Sequence, residues 1–277
     1  MRQTRILYKN NSVISDWTRS LNNYHQGSES FSFVASEDAI YIGNIAPFNH
    51  FYIKISTANT SSTVMNIQYW SGLGFNDIAE IIDETNGLTQ DGYVTFVPDK
   101  NQGWVEQDTS GSGGTITELN SVEIYDKYWI KITFNNDLDA DSAISWIGQI
   151  FSNDDDLSSE YPDLVRSNVL AAFETGKTNW EEQHVKASEL IIRDLIAKRV
   201  ITSKSQLLER ESFTLASVAK VAQIIFSSFG DDYRDQMNDA MREYQKRLDK
   251  SIYDIDLDGD GRLDPYEMKS RQGWLGR

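Results

Sequence analysis

What most constrains the fold of this chain is a change of hydrophobic period partway along it. From 31 to 150, apolar and polar residues repeatedly alternate, as in Phe51-Tyr52-Ile53-Lys54-Ile55, Val64-Met65-Asn66-Ile67-Gln68-Tyr69-Trp70, Tyr93-Val94-Thr95-Phe96-Val97 and Tyr128-Trp129-Ile130-Lys131-Ile132-Thr133-Phe134. A period of two, carried by β-branched and aromatic residues and broken by Gly, Asn and Asp, is what a half-buried strand requires. Several short strands of this kind predict an antiparallel β-sandwich over 1–151. By the alternation, Trp70 and Trp129 face the sandwich core, whereas Trp104, next to Gly103, sits in a loop. The stretch 78–83 fits a short helix or an irregular strand equally well. The Ser/Gly run at 108–114 reads as a mobile loop between strands.

Charge and small polar residues replace core residues in Ser152-Asn153-Asp154-Asp155-Asp156-Leu157-Ser158-Ser159-Glu160, which reads as an acidic linker over 152–160. Beyond it the period becomes helical, with helices expected at 161–175, 180–199, 212–229 and 231–253. Apolar stripes run along the second (Val185, Leu190, Ile191, Leu195, Ile196) and the third (Leu215, Val218, Ala219, Ala222, Ile225, Phe226). Gly176 and Gly230 fall where helices stop, and 202–205 reads as a turn before a short helix. The fold class is therefore α+β in two domains: the sandwich, then a helical bundle over 161–253, with 254–277 left for a loop and a tail.

That loop carries the only explicit chemistry. Asp256-Leu257-Asp258-Gly259-Asp260-Gly261-Arg262-Leu263-Asp264-Pro265-Tyr266-Glu267 matches the twelve-position EF-hand calcium pattern at every constrained position. Calcium takes about six to eight oxygens. Asp256, Asp258 and Asp260 supply them at positions 1, 3 and 5, the Arg262 carbonyl at 7, Asp264 at 9 and Glu267 at 12, with Gly261 at the sharp turn. Asp264-Pro265 opens an exiting helix. With no second loop to pair with, the expected role is structural: calcium at a hundred times its dissociation constant stabilises the ordered state by about 2.7 kcal/mol.

Charge and composition narrow the function. The formal net charge is −16, with 8 Lys and Arg against 21 Asp and Glu up to Asp156 and 18 against 21 after it. Such a surface repels nucleic acid. The chain has no cysteine, which excludes disulfides and thiolate metal sites, and only three histidines, His25, His50 and His184. There is no G-x-S-x-G, no phosphate-cradling glycine loop and no zinc spacing, so no enzyme is expected. The first ten residues lack a continuous apolar core and no apolar run approaches the roughly 20 residues of a membrane span, so neither a secretory leader nor a membrane partner is expected.

Asp38-Ala39-Ile40-Tyr41-Ile42-Gly43, Tyr69-Trp70-Ser71-Gly72, the run from Asp83-Glu84-Thr85-Asn86-Gly87-Leu88-Thr89 to Gln90-Asp91-Gly92-Tyr93-Val94-Thr95-Phe96, and Tyr128-Trp129-Ile130-Lys131-Ile132 form an ordered series. The series resembles the β-sandwich module of neck and baseplate proteins of tailed bacteriophages, with its "YW-G", "DGT-GLT-SGYV-F" and "YW-R-R" elements, over about 38–134. Asp91 stands where that module has a small residue, and Lys131 where it commonly has arginine. Separately, the helix pattern over about 160–267, ending in Asp254-Ile255-Asp256-Leu257-Asp258-Gly259-Asp260-Gly261, is similar to the head–tail connector (adaptor) proteins of the same viruses. The two resemblances imply a structural virion protein of the neck, assembled in the host cytoplasm. It would form a homo-oligomeric ring against the portal, with tail proteins below and double-stranded DNA passing through without sequence-specific binding. In that setting Trp274 and Leu275 would dock on the portal or on a neighbouring subunit, Trp274 as the aromatic anchor. The alternative is a calcium-stabilised carbohydrate-binding or host-attachment module, with Trp104 as its stacking residue.

Overall fold

A computed structural model describes residues 4–97, 103–110, 116–251 and 255–256. The fold is α+β, with two antiparallel sheets and six α-helices among the described residues. The chain divides into two compact units, one up to Gly148 and the other from Gln149 onward.

The first unit holds β1 (Arg5–Asn10), β2 (Val13–Asp16), α1 (Thr18–Leu21), β3 (Glu29–Ser30), β4 (Ala39–Asn44), β5 (His50–Thr57), β6 (Met65–Trp70), β7 (Phe75–Asp77), β8 (Glu80–Asp83), β9 (Gly92–Val97), β10 (Tyr128–Phe134) and β11 (Ala143–Gly148). One sheet has the order β2-β1-β4-β10-β6-β7 and the other β3-β11-β5-β9-β8. The open stretch 78–83 resolves as a strand from Glu80 onward, because Ile81 pairs with Phe96 and Ile82 with Thr95. The two sheets share one core. Ile6, Ile42, Ile67, Ile130 and Phe134 of the first pack with Phe51, Ile53, Val94, Phe96 and Ile147 of the second.

Trp70 and Trp129 are buried as expected, but on the other face. They lie with Leu7, Ala39 and Tyr41 in a second apolar layer, closed by Ile116, Leu119 and Ile124. The chain after β9 returns across the outside of the six-stranded sheet and is fastened there. Trp129 Nε1 donates to the Gln107 carbonyl at 3.0 Å, and Thr109 and Ile124 exchange backbone and side-chain hydrogen bonds. Its 3-10 turn Thr117–Leu119 brings Glu118 over the sheet, where it accepts from Lys131 Nζ at 2.8 Å and from the Tyr41 hydroxyl. Burial pushes the Glu118 carboxyl up, but the bonds from Lys131 and Tyr41 outweigh it and hold the group below the usual carboxylate range. Lys131 thus clamps the covering segment to the sheet. Of the run read as a loop at 108–114, residues 111–114 lie outside the described residues, while Thr109 is fully buried.

The most specific stretch of the resemblance, 83–92, is a locked turn. Asp83 Oδ1 accepts from Thr85 N and Oγ1, at 2.9 and 2.5 Å, and its Oδ2 accepts from Gly87 N at 2.9 Å. Asn86, Gly87 and Leu88 all have left-handed backbones, with φ of 50°, 68° and 65°. A side chain on Gly87 would meet the Thr63 carbonyl oxygen at 2.4 Å. The turn drives Leu88 into the core, and Asn59 holds it there by donating to the carbonyls of Leu88 and Gly87. Asp91 has its own use, accepting from Ile55 N at 2.6 Å.

In the second unit all described elements are helices: α2 (Asp154–Glu160), α3 (Ser167–Phe173), α4 (Glu181–Ala197), α5 (Arg210–Ser228) and α6 (Arg234–Ser251), with 3-10 turns at Lys204–Gln206 and Asp231–Tyr233. The expected linker at 152–160 is instead largely helix. Asn153 and Asp156 form a reciprocal capping box, three aspartates occupy the first turn where the dipole favours them, and Leu157 is fully buried. The helix expected at 161–175 is shorter, because Pro162 keeps Tyr161 out of the helical region (φ −134°, ψ 65°) and helix resumes only at Ser167. In α6 only Ala240, Tyr244, Leu248 and Ser251 are buried, a spacing of four, four and three that makes one narrow stripe. Tyr244 lies under that stripe and donates to Asp194 Oδ2 of α4 at 2.7 Å. The turn expected at 202–205 is present and leads into the 3-10 turn, with Gln206 Oε1 accepting from Thr202 N and Ser203 N.

Candidate functional site

Of the calcium ligands, only Asp256 lies among the described residues; Asp258, Asp260, Arg262, Asp264 and Glu267 lie outside them, as do Trp274 and Leu275. Asp256 is 1 % exposed. Its backbone is pinned on both sides, N–H to the Gln206 carbonyl at 3.0 Å and carbonyl to Gln206 Nε2 at 2.8 Å, while Ile255 packs into the core of the second unit. The residue that would begin the loop is therefore fixed by contacts that need no metal. The donor set is all oxygen, which fits calcium and not a soft metal.

Trp104 is not displayed as a sugar-stacking platform. Its ring is half-buried among Phe48, Tyr69, Phe96 and Tyr128, with centroids 5.3, 6.2, 6.5 and 6.1 Å away, and its Nε1 donates to the Trp129 carbonyl at 3.2 Å. Trp104 does lie outside the strands, but the indole turns inward because the core edge offers it four aromatic neighbours.

The helical unit contains a constellation that sequence reasoning missed. His184 of α4 stands between Asp154 Oδ1, 3.1 Å from Nε2, and Ser152 Oγ, 2.7 Å from Nδ1, and Ser152 Oγ also contacts Ser217 Oγ of α5 at 2.7 Å. Since a carboxylate only accepts, Nε2 donates to Asp154, while Nδ1 is bonded to the Ser152 hydroxyl, which can act as donor or acceptor. One turn on, Ser188 Oγ donates to the His184 carbonyl and accepts from Phe151 N. Asp–His–Ser order is that of a hydrolytic triad. Here, however, Ser152 and Ser217 are fully buried, and the Ser152 oxygen is held from both sides, so a substrate has no approach. The arrangement is a satisfied polar knot that fixes α4, α5 and the segment before α2 against one another.

The same unit has an open groove of about 620 Å³ lined by Tyr161, Leu164, Val169, Ala172, Phe226, Phe229 and Tyr233, with Glu160, Asp163 and Arg166 among its polar borders. Its floor is an aromatic series. Phe226 stacks on Tyr233 (6.0 Å, 15°), Phe229 lies 5.3 Å from Tyr233, and Phe173 meets Phe229 edge-on at 6.2 Å. Tyr233 remains 41 % exposed. Glycine at 230 allows this, because its φ of 82° turns the chain back at the end of α5 and lays Tyr233 over the helix it has just left. Glu160 and Asp163 are paired with Arg247 and Arg166, at 2.7 and 2.6 Å. An apolar concavity with a charged border is built to receive another apolar group. Compared with protein-family models, with curated proteins and with solved structures, the chain matches none.

Proposed function

We propose that this chain is a structural virion protein, a head–tail connector that assembles as a homo-oligomeric ring between portal and tail components around the DNA passage. The observation that carries this reading is the aromatic groove of the helical unit, a surface costly to leave in water and suited to the repeated head-to-tail contact of a cyclic assembly. Two further features support it. The residues by which the first unit resembles the phage module serve as scaffold: the 83–92 turn, the Trp129 layer and the Lys131–Glu118 clamp. The net charge of −16 suits a wall along which DNA slides without sticking. In this reading calcium bound at 256–267 steadies the segment that follows α6. Electron micrographs of the purified chain and of virions test the assembly, with closed rings as the expected result and a monomer at every concentration as the contrary one. Calcium has its own test. Chelation, or Asp256→Ala with Glu267→Ala, should lower the melting temperature or speed proteolysis beyond Ser251, and no change in either would remove it from the account.

The carbohydrate-binding alternative rests on Trp104, whose ring is already occupied by core aromatics. A glycan array with hits lost in Trp104→Ala would revive it.

A further inference from the structure

We infer that the groove lined by Tyr161, Val169, Ala172, Phe226, Phe229 and Tyr233 is the seat of segment 268–277 from a second copy of this chain. The inference rests on the ring reading and names the contact that would build the ring. Two observations lead to it. The first is chemical fit. Met268-Lys269-Ser270-Arg271-Gln272-Gly273-Trp274-Leu275-Gly276-Arg277 sets a large aromatic next to an aliphatic, with a glycine on either side, and the groove offers about 620 Å³ over an aromatic floor. The second is charge. The segment contains Lys269, Arg271 and Arg277 and no acidic residue, in a chain that is otherwise strongly acidic. Glu160 and Asp163 border the groove and Asp231, Asp232 and Asp235 flank Tyr233 in the chain, five carboxylates against Arg166, Arg234 and Arg247, so the border favours a cationic peptide over an acidic one.

The choice of a neighbour's segment follows from the ring reading, in which each subunit meets the next head to tail.

The absence of cysteine makes the test direct. Full-length Ala172→Cys, altered at an exposed position of the groove wall, is mixed with full-length Gly276→Cys in calcium and mildly oxidised. Leu73→Cys, 99 % exposed in the first unit, replaces Ala172→Cys as the control. The expected result is a mixed disulfide between the Ala172→Cys and Gly276→Cys chains, at least tenfold above the Leu73→Cys control. It should fall at least tenfold when Trp274→Ala is added to the Gly276→Cys chain, and decline in 0.5 M salt. Capture no better than the control overturns the inference. So does a disulfide that forms only within a single chain carrying both substitutions. Rings seen without this capture leave the connector reading standing and remove the groove from it; capture without rings does the reverse.

Discussion

The two units of this chain reach stability by different means. In the first unit the central strands of the six-stranded sheet are buried on both faces, by the inter-sheet core on one side and by the Trp70–Trp129 layer under residues 116–124 on the other. Its polar groups sit at the margins and clamp turns: Asp83 inside its loop, Asp139 across Thr60 and Ser61, and Glu118 over Lys131. The helical unit has thinner apolar layers, a hydrogen-bonded knot at its centre and an aromatic groove left open. Central strands covered on both faces suit a scaffold, and the exposed apolar side chains of this unit, such as Val13, Val64 and Leu73, lie outside those strands. A unit that fixes its helices by directional bonds and keeps an apolar face in solvent is suited to forming contacts with other molecules. That difference supports the proposal that assembly runs through the second unit.

The comparison breaks most sharply at Trp129. Trp129→Ala removes a fully buried indole from the outer layer and should cost about 3–5 kcal/mol, read by denaturant unfolding. Hydrogen exchange should rise first in β4 and β10. A cost below about 1 kcal/mol would mean that the covering segment contributes little. Next is His184→Ala, expected to cost about 2–3 kcal/mol by leaving a buried void and removing the partner of Ser152 and Asp154, with faster exchange in α4 and α5. Ser217→Ala should cost only about 1 kcal/mol, since Ser152 keeps His184. If the knot were catalytic instead, Ser152→Ala would abolish a hydrolytic activity of the native chain.

The smallest effect concerns pH. Hydrogen bonds from Ser61 and Thr60 hold the Asp139 carboxyl down to about 2, against an ordinary value of 3.8. A carboxyl lowered on folding contributes stability that is present in full above the unfolded value and is lost as pH falls through the folded one. The unfolding midpoints of the native chain and of Asp139→Asn should therefore converge between about pH 4 and pH 2. Parallel profiles through that window would show that the Asp139 bonds do not favour the ionised form.

Much of the scaffold was legible in the chain. Alternation located the long strands, the change of period located the helical half, and Gly176 and Gly230 marked turns with positive φ. What alternation could not show was the second face of the sheet. It places Trp129 opposite Ile130 and Ile132, but whether that face is wet depends on residues far away, Gln107, Ile116, Leu119 and Ile124, that carry no strand pattern. A hint was available in Ala39-Ile40-Tyr41-Ile42, an unbroken apolar run of the kind found in strands buried on both sides. The helix at Asp154–Glu160 was hidden by its own charge, although Asn153 with Asp156 three residues on is a capping signature. The groove and the knot were not legible at all. Each joins residues from three or more segments, and in sequence Ser152, His184 and Ser217 look like isolated polar residues.

The most direct test of the central claim, assembly through the helical unit, is the state of the full-length chain in calcium, followed by sedimentation velocity and by electron microscopy of the same samples. The account predicts closed rings for the native chain and for Leu73→Glu, and their loss in Ala172→Glu, which places a charge on the groove wall without touching the core. A chain that stays monomeric to about 100 μM, or rings that persist unchanged in Ala172→Glu, would contradict it.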